Sequence, residues 1–248
     1  MKQFRTVVVT GAGTGIGRAL CVGFTFDDYV VVGLGRTAAT LEETKEVCKN
    51  ELFSYLVADV ADSTAVAAAL AQIAAELGPI DVLVCNAAVY PRVYFLDQPA
   101  DEWTRAVTIN VCGVANCCRA VLPSMLERNA GRIIIVGSFA DISPLPGTTA
   151  YSASKGALHP LARALSTEID RQRYPNVLIN EFNPGATQTA MSESGHEPAA
   201  VYPWLKNIVD LPSGGTTGRI FLCDREFRPD EGRKAKLKRY LLQRIGWQ

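Results

Sequence analysis

The sequence predicts an α/β fold, a single doubly wound parallel sheet with helices on both faces. Three observations predict it. Short Val- and Ile-rich runs alternate with longer helical patterns along most of the 248 residues, the order that strand–helix–strand crossovers impose on a parallel sheet. The runs are continuously apolar rather than alternating, as strands covered on both faces must be. No internal repeat or low-complexity linker divides the chain, so residues 1–248 read as one domain. Composition agrees: 48% hydrophobic and 20% charged residues exclude a disordered chain, a collagen-like chain and a small disulfide scaffold. Twenty-five basic against 25 acidic residues give a formal net charge of +0. That balance offers no global attraction to nucleic acid or to a membrane surface.

The elements follow in order. Thr6–Thr10 is the first strand. A signal peptide would need a longer apolar core than Val7-Val8-Val9, so a cytoplasmic location is expected. A glycine loop and a helix running to Phe26 come next, then strands at 29–33 and 53–58. Ser63–Leu77 is an alanine-rich helix stopped by Gly78-Pro79. Strand 82–85, a helical stretch holding Asn110, strand 132–136, a helix from Tyr151 to about Arg171 and strand 177–182 complete the main alternation. Residues 188–215 are expected to form a lid over the substrate, and 220–223 a last strand.

No apolar run approaches the roughly 18 residues of a membrane-spanning helix. Seven scattered cysteines without CxxC spacing, with only two histidines, argue against a metal site. They read as small buried thiols in a reducing compartment. From Arg225 onward eight basic and three acidic residues give a tail of +5, where Leu237, Tyr240, Leu241 and Ile245 recur at helical spacing. A basic amphipathic helix is expected over about 229–248, packed on the domain or a partner subunit, with an anionic partner as the alternative.

Two patterns carry chemistry. Thr10-Gly11-Ala12-Gly13-Thr14-Gly15-Ile16-Gly17 joins the first strand to the first helix. Glycines there permit a tight turn and close approach of a pyrophosphate, which the helix N-terminus then holds, as in Rossmann-like dinucleotide sites. At the end of the second strand, where NAD enzymes carry a carboxylate, stands Arg36. A guanidinium suits a 2′-phosphate, so NADP(H) is the expected cofactor, with NAD(H) as the alternative. The second pattern is Tyr151 and Lys155, one turn apart on one helix face. An ammonium beside a phenol lowers its pKa toward the range useful for acid–base work. Thirteen residues upstream, Ser138 closes a strand where ligands gather in such sheets, placed to donate to a carbonyl oxygen.

With Asp59-Val60, Asn86-Ala87, Asn110, Pro184-Gly185 and Thr187 in the same order, the chain resembles a short-chain dehydrogenase/reductase of the roughly 250-residue type, from Thr6 to about Gly185 and weakly to Asp224. The resemblance implies hydride transfer between a nicotinamide and a carbonyl–alcohol pair. It implies Tyr151 as general acid/base, Ser138 orienting the carbonyl, and Lys155 tuning Tyr151 and binding the nicotinamide ribose. It implies Asn110 holding a relay water, Asp59 and Val60 at the adenine, Asn86 and Ala87 supporting the cofactor, and Thr187 with Pro184 and Gly185 near the nicotinamide or diphosphate. It further implies a small-molecule substrate and a homodimer or homotetramer.

Departures stand beside it. Cys85-Asn86-Ala87-Ala88 replaces the usual Asn-Asn-Ala-Gly, and Ala88 is strained if its φ is positive. The frequent C-terminal Asp-Gly-Gly is Asp224-Arg225-Glu226. Tyr90, Arg92, Tyr94 and Phe95 are expected at the pocket rim, Phe139 beside Ser138, and Met191, Tyr202 and Trp204 in the lid. They suit an apolar or aromatic carbonyl compound, or else subunit contacts. His159 and His196 show no partner pattern. The competing classes are an idle nucleotide sensor or scaffold of the same fold and a nucleotide-sugar epimerase or dehydratase.

Overall fold

Successive side chains of a strand point to opposite sides, and that rule divides the core in two. Val7, Val9, Val82 and Val84 pack under one helical layer, and Val8, Leu83, Ile133 and Ile135 under the other. The computed structural model describes residues 5–227. Its strands β1 (Thr6–Thr10), β2 (Val30–Gly35), β3 (Phe53–Val57), β4 (Ile80–Cys85), β5 (Gly131–Val136), β6 (Val177–Asn183) and β7 (Ile220–Leu222) are parallel. They lie in the order β3-β2-β1-β4-β5-β6-β7, and β8 (Arg225–Phe227) closes the edge antiparallel. The order reverses between β1 and β4, the switch point at which ligands bind such sheets.

Helices α1 (Gly15–Phe26) and α2 (Ala38–Cys48) cover one face. Helices α3 (Ser63–Leu77), α5 (Gly113–Glu127) and α7 (Leu158–Glu168) cover the other, with α4 (Ala100–Val107) and α6 (Thr149–Gly156) packed beside them. The predicted bounds of α3 hold because both stops are local. The Asp62 carboxylate accepts the N–H groups of Thr64 and Ala65 at 2.9 and 3.0 Å, and Gly78 turns the chain out at φ +84°. A five-residue π turn, Thr108–Cys112, joins α4 to α5. The resulting run 100–127 is long and apolar enough by composition to cross a membrane. Its apolar side, with Ile109, Val114, Val121 and Met125, is core against α3 and the sheet.

Three expectations need correction, and one strand was not expected. The helix begun near Tyr151 is two helices, broken at Ala157 and ended at Glu168. Strand β8 is too short to show in periodicity. Residues 188–215 are not a lid throughout: after a short 3-10 turn, α8 (Val201–Val209) joins α1 and α2 on their face, burying Val201, Leu205, Ile208 and Val209. Tyr202 sits on Gly23 and Phe24 and donates to Asp27 at 2.7 Å, and Trp204 stacks on His196, so neither ring reaches the cleft. The basic helix expected over 229–248 lies outside the described residues.

Candidate active site

The loops leaving β1, β2, β4, β5 and β6 surround a cleft of about 1330 Å³ at the carboxyl ends of the strands. One end of it is the glycine turn. Gly11 is left-handed, φ +67°, and a Cβ there would fall 2.8 Å from Ala87 Cα. Gly17 lies so close beneath the turn that a Cβ would stand 2.1 Å from the Gly11 carbonyl oxygen. Gly17→Ala is therefore expected to cost about 2–4 kcal/mol by overpacking against backbone that cannot yield. Urea unfolding and cofactor titration check this; a variant of unchanged stability would contradict the close approach.

The turn is tied to the neighbouring strand through polar groups. Thr10 Oγ1 accepts the N–H of both Asn86 and Ala87 at 3.0 Å, while Asn86 Nδ2 donates to the Thr10 carbonyl at 2.9 Å. Ala88 does not have positive φ, so the Gly-to-Ala departure there carries no backbone strain.

These residues fit a dinucleotide. Thr14, the N-cap of α1, makes no side-chain cap bond, so its side chain leaves the first-turn N–H donors unclaimed, and Gly13, Thr14, Gly15 and Ile16 line the cleft. Arg36 lines the cleft, exposed, and no carboxylate among the described residues forms an ion pair with it. Val60 and Ala58 also line it. Asp59 does not: its carboxylate accepts the Ala61 N–H at 3.0 Å and lies 4.0 Å from Arg105. Ala87, Pro184, Gly185 and Thr187 line the middle, where Gly185 is again left-handed, φ +71°.

The reacting groups meet further along. Ser138 follows β5, and Tyr151 and Lys155 come from α6; all three line the cleft. Burial pushes the Tyr151 phenol up, the neighbouring Ser138 hydroxyl eases it down, and Tyr90 adds to the rise. Tyr90 meets Tyr151 edge-on, with ring centroids 4.5 Å apart. Lys155 is 5% exposed. Its Nζ donates to the Val136 carbonyl at 2.7 Å and stands 5.8 Å from the Tyr151 ring centroid. The ammonium is thus anchored on the strand rather than on the phenol, and burial outweighs it at Tyr151. The phenol therefore stands above its ordinary value, the reverse of the net lowering expected from Lys155.

Asn110 is tied down on both sides. It is fully buried in the π turn. Its Oδ1 accepts the Val89 N–H at 2.8 Å, and its Nδ2 donates to the Val89 carbonyl at 3.0 Å and to Ser154 Oγ at 2.9 Å. Both amide protons and one lone pair are committed, so this side chain clamps the β4 loop to α6, and the expected relay water would be held as a donor, to the second lone pair or to the main-chain carbonyl.

Phe139, Leu145 and Met191 line the cleft near Ser143, Ser192 and Glu193, with Arg92 as a cation. Tyr94 and Phe95 are exposed and do not line it. Neither histidine is idle: His196 stacks on Trp204 at 5.0 Å, and His159 Nδ1 lies 3.3 Å from the Glu181 carboxylate. Glu181 was missed in the sequence, although a carboxylate inside the run Val177–Asn183 is itself a signal, since charged residues are almost never fully buried unless paired.

Comparison with known proteins agrees with this geometry. The family model for short chain dehydrogenases matches residues 5–199. A short chain dehydrogenase of Pseudocercospora fijiensis is 32% identical over 212 residues, covering 83% of this chain and 68% of that protein. Oxidoreductase UcpA of Escherichia coli is 34% identical over 192 residues, 77% of this chain and 72% of its own. A 2-(R)-hydroxypropyl-CoM dehydrogenase of Xanthobacter autotrophicus is 33% identical over 195 residues, 76% and 77% of the two chains. Among solved structures, a short chain dehydrogenase/reductase family protein superposes with a TM-score of 0.78 at 25% identity, covering 90% of this chain and 97% of that one.

Proposed function

The chain belongs to the short-chain dehydrogenases, NAD(P)-dependent oxidoreductases, and from that membership and its cleft we propose that it reversibly reduces an apolar carbonyl compound with NADPH. One observation carries the reading: Ser138, Tyr151 and Lys155 stand at one end of a cleft whose other end is an uncapped helix N-terminus beside Arg36.

The bound nicotinamide supplies or accepts the hydride. The chain's own groups manage position and protons. In reduction the Tyr151 hydroxyl donates its proton to the carbonyl oxygen, and in oxidation it takes the proton of the alcohol. The Ser138 hydroxyl donates to the same oxygen and steadies the charge that develops there. The Lys155 ammonium opposes part of the cost of a buried phenolate. Tyr90 fixes the plane of the Tyr151 ring, and Asn110 fixes the loop that carries Tyr90. The apolar side chains of Phe139, Leu145 and Met191 in the cleft favour an apolar or aromatic substrate.

The cofactor preference rests on Arg36. Charge-assisted hydrogen bonds to a phosphate contribute about 1.5–3 kcal/mol. Arg36→Ala is therefore expected to raise KM for NADPH by roughly 10- to 100-fold and leave that for NADH nearly unchanged. Steady-state rates with both cofactors and a panel of ketones test the whole reading. Equal loss with the two cofactors would refute the 2′-phosphate contact, and no turnover with any carbonyl or alcohol would refute the reaction.

A further inference from the structure

We propose that Glu181 is a positioning residue for this reaction: its buried carboxylate, packed on Gly137 in front of His159, is the counter-charge that keeps Lys155 an ammonium. The inference rests on the reading of Tyr151 and Lys155 given above and adds a group to it.

The geometry comes first. Alternation along β6 turns Glu181 to the same side as Ile179, the face covered by α7 and flanked by α6. Glu181 is 2% exposed. Its Oε1 packs against Gly137, where an added Cβ would fall 2.0 Å away. Lys155 Nζ is bonded to the carbonyl of Val136, the residue before Gly137. Carboxylate and ammonium therefore flank consecutive residues of one strand end, immediately before Ser138. Behind the carboxylate, His159 Nδ1 stands 3.3 Å from Oε2, and only 27% of that side chain is exposed.

The other charged groups that bear on the pair are few among the described residues. Asp141, on the β5–α6 loop, faces Glu181 and opposes its ionisation, and Cys85 at the end of β4 faces Lys155. The partners of Glu181 in the sheet, Ile135 on β5 and Ile220 on β7, are apolar.

The energetics agree in sign. Burial drives Lys155 down to about 8, and Glu181 is the first group to oppose the fall. Burial drives Glu181 up to about 7, and Lys155 is the first group to oppose that rise. Below pH 7 the carboxyl is mostly protonated and the coupling is off. Above it the carboxylate is present and sustains the ammonium through the window in which Lys155 would otherwise discharge. Two unit charges several Å apart at an effective dielectric near 20 interact strongly enough to move a pKa by about one unit or more.

The test uses the full chain labelled with [ε-13C]lysine, with the Lys155 resonance assigned by its loss in Lys155→Met. Glu181→Gln, which keeps the shape and removes the charge, is expected to lower the Lys155 midpoint by roughly one pH unit. Glu181→Ala is expected to do the same, so the result does not depend on one variant folding. Glu181→Asp, which keeps the charge, is expected to hold the midpoint close to the parent value. The alkaline limb of kcat/KM should move with the midpoint. Parent and Glu181→Gln should be equal near pH 6 and differ roughly five- to tenfold near pH 8.5. An unmoved Lys155 midpoint in both neutral variants overturns the proposal. A midpoint that moves while the rate profile stays fixed upholds the charge coupling and overturns instead the assignment of the reaction to Tyr151 and Lys155.

Discussion

Tyr151→Phe is expected to lower kcat by about 10³-fold or more while the protein folds and binds cofactor normally. The general acid–base contribution of a positioned side chain is commonly 10²–10⁴, and Tyr151 lines the cleft with Ser138 and Lys155. The substitution removes one oxygen. The ring keeps its edge contact with Tyr90 at 4.5 Å, so packing in the cleft is preserved. Because burial holds the phenol above its ordinary range, the resting group is protonated at neutral pH, the form that reduction uses and oxidation must first deprotonate. Reduction should therefore run faster than oxidation at pH 7, and oxidation should gain as pH rises until Lys155 discharges near 8. Cofactor fluorescence titration with steady-state rates in both directions checks these points. A kcat within tenfold of the parent would remove Tyr151 from the chemistry.

How far the sequence discloses this site depends on the range of the forces involved. The glycine turn is legible because its constraints are local: Gly11 needs φ +67°, and Gly17 must pass under a carbonyl six residues away. Helix α3 is legible for the same reason, since Asp62 and Gly78 set its ends. The parallel sheet follows from strand–helix–strand alternation, while its order, β3-β2-β1-β4-β5-β6-β7, emerges only from the pairing of strands far apart in the chain. The clamp made by Asn110 is hidden in the sequence because its partners, Val89 and Ser154, lie 21 and 44 residues away. Residues 201–209 resemble a substrate cover until the apolar face of α1 is present to receive them. Glu181 looks like an accident of composition in an apolar strand. Its meaning arises when α6 and α7 bring Lys155 and His159 to the same side of the sheet.

Lys155→Met should abolish turnover and, near pH 6, make the protein more stable. The two effects have one origin. Lys155 is an ammonium in a nearly closed apolar setting, and burial lowers its pKa from 10.5 to about 8. The folded state thus disfavours the charged form that the unfolded chain carries. That cost to stability is complete below pH 8 and fades as pH climbs from 8 toward 10.5. Methionine keeps most of the volume without the charge, and replacing a buried charge by an apolar residue of similar size often stabilises by about 1–4 kcal/mol. Against this stands the Val136 carbonyl, which loses its 2.7 Å partner at a cost of about 1–3 kcal/mol. The net gain at pH 6 is expected to be on the order of 1 kcal/mol, a rise of a few degrees in Tm for a chain of this size. Above pH 7 the gain should shrink for a second reason, because Glu181 then ionises without its cation. Urea unfolding at pH 6 and pH 9, with kcat at both, gives the comparison. A variant less stable than the parent at pH 6 would mean that the Val136 hydrogen bond outweighs desolvation, and that Lys155 is held in the cleft as structure rather than at the expense of it.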